Sequence, residues 1–154
     1  MIIYRIDDRL VHGQVIVGWI KNLGLKWLYL IDNEITENQQ MIMRLTVPQE
    51  IEFKILNIAN VKDEITRDLS DKPGMILVKS PSEILSLLAA GVKIKKVHIG
   101  GLHFKPGRSQ YCEFIFLSPK EVEAIREIIS HDTVVMVQSL PSRREIPVEK
   151  LIQK

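Results

Sequence analysis

A chain of 154 residues, 45% hydrophobic and 26% charged, has the size and balance of one globular domain with a proper core, and leaves no room for a second catalytic domain. Its net charge of +2, from 21 basic and 19 acidic residues, is too small to argue for a nucleic-acid partner. The start Met1-Ile2-Ile3-Tyr4 carries no leader-like segment, the apolar runs are strand-sized, and the lone Cys112 cannot close an internal disulfide, which together predict a reducing, cytoplasmic setting.

The first predicted strand covers residues 2–7 and runs into the loop Asp8-Arg9-Leu10-Val11-His12-Gly13, from which a helix is expected over 14–23. A strand over 26–32, a helix over 36–46, a strand over 52–57 and a helix over 60–70 follow. The next strand, 74–79, holds the continuous apolar run Gly74-Met75-Ile76-Leu77-Val78, as burial on both faces requires. Ser80-Pro81-Ser82-Glu83 then predicts a helix over 81–90, with serine as N-cap, proline at the first helical position and glutamate completing a capping box. Ser118-Pro119-Lys120-Glu121 repeats that pattern for a helix over 119–130. Strands over 94–99 and 112–117 lie between the two, and a strand over 133–138 and a helix over 147–153 end the chain.

No linker, low-complexity block or internal repeat interrupts this alternation, so residues 1–154 are expected to form one α/β domain. Its architecture is a single open, mostly parallel twisted sheet of about six to seven strands with helices on both faces and right-handed crossovers. Ligands of such sheets bind at the carboxyl ends of the strands. Three loops are expected there: His12 after the first strand, Lys79 and Ser80 after the fourth, and the Gly100 to Gln110 segment after the fifth.

His12 is the candidate nucleophile, because imidazole offers a neutral ring nitrogen near neutral pH. The helix opening near Gly13 and Gln14 presents free N–H groups to a dianion, and Arg9 is placed to pair with phosphoryl oxygens. Asp7 or Asp8 is expected to fix the tautomer or the loop, a position that equally suits a plain turn aspartate. His98, His103 and His131 lack metal-ligand spacing and read as structural or solvent-facing. Gly100-Gly101 and Pro106-Gly107-Arg108 predict a sharply bending loop, but neither Gly-x-x-x-x-Gly-Lys-Ser/Thr nor Gly-x-Gly-x-x-Gly occurs, so no metal, nucleotide or other cofactor is expected. Trp27 and Tyr29 read as core, and Trp19 as core or as an exposed interface patch.

The run Arg5-Ile6-Asp7-Asp8-Arg9-Leu10-Val11-His12-Gly13-Gln14-Val15 resembles the active-site signature of the IIB components of the mannose/fructose/sorbose class of the bacterial phosphotransferase system. The likeness continues through Lys79-Ser80-Pro81, Gly91-Val92-Lys93-Ile94 and Val97 to Arg108, covering essentially the whole chain. It implies that His12 is transiently phosphorylated through Nδ1 by the phosphohistidine of a IIA domain. The phosphoryl group, which originates in phosphoenolpyruvate and travels through enzyme I and HPr, then passes to a sugar bound by the membrane components IIC and IID. On this resemblance Arg9 and Asp8 join His12 as catalytic residues, and Leu10, Gly13, Gln14 and Ser80 contact the phosphoryl group. The protein would be cytoplasmic and peripherally associated with the transporter.

Val11 stands where the family often has isoleucine, and Lys79-Ser80 where threonine or another small polar residue precedes asparagine; the Ser80 oxygen therefore either serves the phosphoryl group or is spent as a helix cap. Arg9, Lys79, Arg108, Arg143 and Arg144 are expected to form a basic rim for partners, and Trp19 with the C-terminal helix to offer a homodimer surface. Two other functions fit the residues: a regulatory module that is phosphorylated without delivering to sugar, and a small hydrolase using His12 as general base. The hydrolase would lack a recognisable Ser or Cys nucleophile motif.

Overall fold

A computed structural model of the chain describes residues 1–66 and 71–153. In chain order the elements are β1 (Ile2–Asp7), a π-helix (Gln14–Lys21), β2 (Trp27–Ile31), α1 (Glu37–Thr46), β3 (Glu52–Leu56), α2 (Ile58–Thr66), β4 (Gly74–Val78) and α3 (Pro81–Ala89). There follow β5 (Lys96–Gly101), β6 (Ser109–Cys112), β7 (Ile115–Leu117), α4 (Pro119–Ser130), β8 (Val134–Val137), β9 (Ile146–Pro147) and α5 (Glu149–Ile152). The main sheet has seven strands in the order β3-β2-β4-β1-β5-β8-β9, parallel throughout except for β9, which pairs antiparallel with β8. This is the predicted open α/β architecture.

Strands β2 and β4 are buried at every position and β1 at all but its first, which is why their sequences are apolar without alternation. The π-helix and the end of α1 cover one face, with Val15, Ile16, Trp19, Ile20 and Val47 packed against Ile3, Leu28, Leu30, Met75 and Leu77. Helices α2 to α5 cover the other, where Val61, Ile84, Leu87, Ile125, Ile128 and Ile152 meet Ile6, Tyr29, Ile76, Val97 and Val135. The crossover leaving β1 therefore runs over one face, while those leaving its neighbours β4 and β5 run over the other. The carboxyl end of β1 opens into the crevice at this switch point, where an α/β sheet binds its ligands.

Ser118 forms the predicted capping box: its Oγ accepts from the Glu121 N–H at 3.2 Å, and a Glu121 oxygen accepts from the Ser118 N–H at 3.0 Å. Replacing Ser118 with alanine is expected to cost about 1 kcal/mol in urea unfolding. At Ser80 the box does not form, although Pro81 leads the helix as expected. The Ser80 hydroxyl instead donates to the Glu83 carboxylate and lies 2.8 Å from Ser82 Oγ.

Four expectations are corrected by the fold. The strand expected over 112–117 is broken at Glu113-Phe114 into the β6-β7 hairpin, which forms its own two-stranded ribbon apart from the main sheet. The helix expected over 147–153 shrinks to α5, because Ile146 and Pro147 add the antiparallel edge strand; an edge is where a residue without an N–H is tolerated in a sheet. Gly100 and Gly101 lie inside β5 rather than in a bend. Helix α2 starts at Ile58, and positions 67–70 of the helix expected over 60–70 lie outside the described residues.

Candidate active site

Arg5 and Asp7 are two residues apart on β1 and so point to the same side of the strand. Arg5 is completely buried, with its guanidinium 4.3 Å from the centroid of the Trp19 ring. Its Nη1 donates to the Gln138 carbonyl and its Nη2 to the Ser139 carbonyl, both at 3.0 Å, and Nη2 stands 3.9 Å from Asp7 Oδ2. Burial pulls this guanidinium down to about 10, against the opposing pull of Asp7. Trp19 Nε1 donates to the same Ser139 carbonyl at 3.0 Å, and the Gln138 amide to the carbonyls of Pro141 and Arg143 at 3.3 and 2.8 Å. The segment after β8 is thereby fastened to the site through β1. Gly100 leaves the space this needs, since a Cβ there would fall 1.8 Å from Arg5 Nη2.

The Asp7 carboxylate is also fully buried. Its Oδ1 accepts from the Arg9 N–H at 3.1 Å and from Arg9 Nε at 3.2 Å, and its Oδ2 from Arg9 Nη2 and His12 Nε2, each at 3.2 Å. Burial pushes the carboxyl up, but the hydrogen bonds from His12 and Arg9 outweigh it and hold Asp7 below the ordinary carboxylate range. An ionised carboxylate only accepts, so the His12 proton sits on Nε2 and the lone pair on Nδ1. Of the two aspartates left open by the sequence, Asp7 is the one that sets the tautomer. Arg9 Nη2 also donates to Gln14 Oε1 at 2.8 Å, tying the loop to the helix that follows.

The loop turns at Leu10, whose N–H donates to the Asp7 carbonyl at 3.0 Å and whose φ of 59° is a strained, left-handed value for leucine. Gly13 has an ordinary helical φ of −53° and open space where a Cβ would stand, because the reversal is already complete at Leu10. Among the described residues no side chain caps the π-helix, so no side chain competes for its leading N–H groups at the His12 loop. Helices of this winding are rare and recur at functional sites.

Asp8 serves a different structure. It accepts from the His103 N–H at 2.8 Å, contacts His103 Nδ1 at 2.5 Å and accepts from Arg108 Nη1 at 3.1 Å. Arg108 Nη1 also donates to the His103 carbonyl at 2.6 Å, while its Nε and Nη2 bridge both oxygens of Glu121 at 2.8 and 2.7 Å. Burial raises the Asp8 and Glu121 carboxyls, yet the bonds from His103 to Asp8 and from Arg108 to Glu121 bring both below their ordinary values. Lowered folded-state values mean stability that is present above the unfolded carboxylate range and is lost as pH falls through the folded values. Urea midpoints of the wild type should therefore fall steeply below about pH 4, and Asp8→Asn should flatten that fall while lowering stability at pH 7.

The loops after β1 and β5 thus meet, together with the segment after β8, but the loop after β4 does not join them. Lys79 is spent on Asp32 and Glu34 at 3.3 and 3.0 Å, and Ser80 lines a separate cleft between α3 and α4. A cleft of about 550 Å³ lies beside the His12 loop, lined among others by Arg9, Gln14, His103, Arg143 and Arg144. Of the expected basic rim, Lys79 is paired with Asp32 and Glu34 and Arg108 is only 7% exposed, while Arg9, although paired with Asp7, is 39% exposed and lines the cleft with Arg143 and Arg144. Trp19 and Ile152, each 2% exposed, are core residues and offer no homodimer patch.

Arg5, Gln138 and Ser139 were not among the expected site residues. The i, i+2 placement of Arg5 and Asp7 in an apolar strand was a readable signal for the first. The other two act through main-chain carbonyls, which residue type does not reveal.

The whole chain, residues 1–154, matches the family described as PTS system sorbose subfamily IIB component. It is 25% identical over 154 residues to the N-acetylgalactosamine-specific phosphotransferase enzyme IIB component 2 of Escherichia coli K12, covering 99% of this chain and 98% of that protein. It is 24% identical over 153 residues to the mannose-specific EIIAB component of the same strain, covering 97% of this chain and 47% of that protein. The crystal structure of the IIBSor domain of the sorbose permease from Klebsiella pneumoniae superimposes with a TM-score of 0.91 at 23% identity, over 99% of this chain and 96% of that one, and shares the fold. The chain belongs to the sorbose-subfamily IIB components of the phosphotransferase system, the phosphoryl carriers of sugar uptake.

Proposed function

We propose that His12 is the residue that carries the phosphoryl group, accepting it on Nδ1 from a phosphorylated IIA domain and passing it to a sugar held by the membrane components IIC and IID. The observation that carries this reading is the hydrogen bond from His12 Nε2 to buried Asp7, because it reserves Nδ1 for the attack. In the transition state the transferring group is metaphosphate-like, and catalysis is chiefly positioning and charge. Arg9, already beside His12 on Asp7, pairs with the equatorial oxygens, and the amides at Gly13 and Gln14 face the dianion. Leu10 shapes the turn, Asp8 holds the neighbouring loop in place, and the Ser80 hydroxyl is engaged by the Glu83 carboxylate.

The chain works in the cytoplasm, at the inner face of the transporter. The match to a mannose-specific EIIAB protein supports a IIA donor. Relatives of similar identity are named for N-acetylgalactosamine, fructose and mannose, and in this reading the choice of sugar lies with IIC and IID. The test is incubation with phosphoenolpyruvate, enzyme I, HPr and IIA, followed by intact-mass analysis kept away from acid. One added phosphoryl group is expected; a protein left unmodified while IIA is phosphorylated sinks the reading.

A further inference from the structure

The consecutive residues Asp7 and Asp8 each hold a histidine, and the two pairs lie side by side. His12 rests on Asp7 through Nε2, and His103 rests on Asp8 through Nδ1. His103, Arg9 and Asp7 converge at Gly101: a Cβ placed there would meet His103 Cε1 at 3.2 Å, with Arg9 Nη2 and Asp7 Oδ1 both at 3.6 Å. His103 is far more firmly held than an ordinary loop residue. Its N–H and its ring bind Asp8, its carbonyl binds Arg108, and Arg108 is clamped on Glu121 at the start of α4. Yet its side chain is 46% exposed on the cleft that Arg9 and Gln14 line, and its Nε2 makes no hydrogen bond among the described residues. Because the ionised Asp8 can only accept, the ring proton sits on Nδ1 and a basic lone pair on Nε2, in a ring that lines the cleft.

The two halves of the carrier cycle differ in what they need from such a base. Transfer from a phosphohistidine to His12 joins phosphorus to a nitrogen whose lone pair is already free. Transfer onward to a sugar uses a hydroxyl, which must lose its proton. We propose that His103, oriented by Asp8, is the base that takes this proton in the delivery step, an inference that rests on the carrier reading given above. In that step the P–N bond of phospho-His12 breaks with its electron pair returning to Nδ1, and the hydroxyl oxygen bonds to phosphorus. The hydroxyl proton passes to His103 Nε2, and the imidazolium stays paired with Asp8 until it releases that proton to water.

Two variants separate this role from loop anchoring. His103→Asn keeps a side-chain donor near Asp8 and the backbone bond to it, but has no basic nitrogen; His103→Ala removes the ring. Each is loaded by phospho-IIA, then chased with membrane vesicles carrying IIC and IID and labelled mannose, fructose, sorbose and N-acetylgalactosamine. Loading is expected to be unchanged in both, delivery to sugar to be slower by about 10²-fold, and added imidazole to restore part of it in His103→Ala. Delivery by His103→Asn at the wild-type rate overturns the proposal, as does a parallel loss of loading and delivery, which would mark an anchoring residue. A wild type that loads but delivers to no sugar would instead sink the carrier reading, and the base with it.

Discussion

His12→Ala is expected to accept no phosphoryl group at all, and Asp7→Asn to accept it about 10³-fold more slowly than wild type although the nucleophile is still present. The alanine variant removes His12 Nδ1, the nitrogen that the bond from Nε2 to Asp7 leaves unprotonated for the attack. The asparagine variant acts through the proton. Arg9 presents N–H groups to the Asp7 carboxylate, and in Asp7→Asn it would claim the oxygen of the substituted amide, leaving the amide NH₂ toward His12 Nε2. That NH₂ can only donate, so Nε2 becomes the acceptor, the ring proton moves to Nδ1, and the attacking pair is lost. Two measurements read this: rapid-quench loading from phospho-IIA, and the ¹⁵N shifts of the His12 ring, which should show the proton leaving Nε2. A loading rate within the normal range with Nε2 still protonated would remove Asp7 from the mechanism.

The fold was legible because its signals are local. Unbroken apolar runs such as Gly74 to Val78 can be covered only inside a two-sided sheet, and Ser118-Pro119 with Glu121 is a complete helix start in four residues. The errors fell where a tertiary partner decides. Residues 109–117 fold into a hairpin because Leu102 captures its second strand, with a bridge to Ile115 and a bond from the Phe116 N–H to the Leu102 carbonyl. Ser80 leaves the capping pattern because its hydroxyl finds the Glu83 carboxylate rather than a backbone amide.

The site was legible in the same uneven way. His12, Arg9 and Gln14 sit within one short loop, and their contacts with Asp7 and with each other follow from chain proximity. Which aspartate turned inward was not readable, because Asp8 is drawn away by His103 and Arg108, 95 and 100 residues along the chain. Lys79 looked like a rim residue only until its partners Asp32 and Glu34 were in place.

Gly100→Ala should destabilise the protein by about 3–5 kcal/mol in urea unfolding, the scale of breaking a buried charge network. The added methyl would stand 1.8 Å from Nη2 of Arg5 and 2.1 Å from its Cζ, inside a guanidinium that has no room to retreat, with the Trp19 ring 4.3 Å away. Arg5 would have to give up the Gln138 or Ser139 carbonyl, leaving a buried cation short of acceptors, and the segment carrying Arg143 and Arg144 would come loose from β1. Arg5→Met alone removes that cation while Asp7 keeps Arg9 and His12, and Ser139 keeps Trp19, so a smaller loss is expected. In the double variant the methyl no longer meets a guanidinium. Its loss should fall well short of the sum of the two singles, with a coupling of about 1–3 kcal/mol. Additive losses would mean that Gly100 is required for some reason other than Arg5, and the buried arginine would no longer explain why β5 carries glycine at that point.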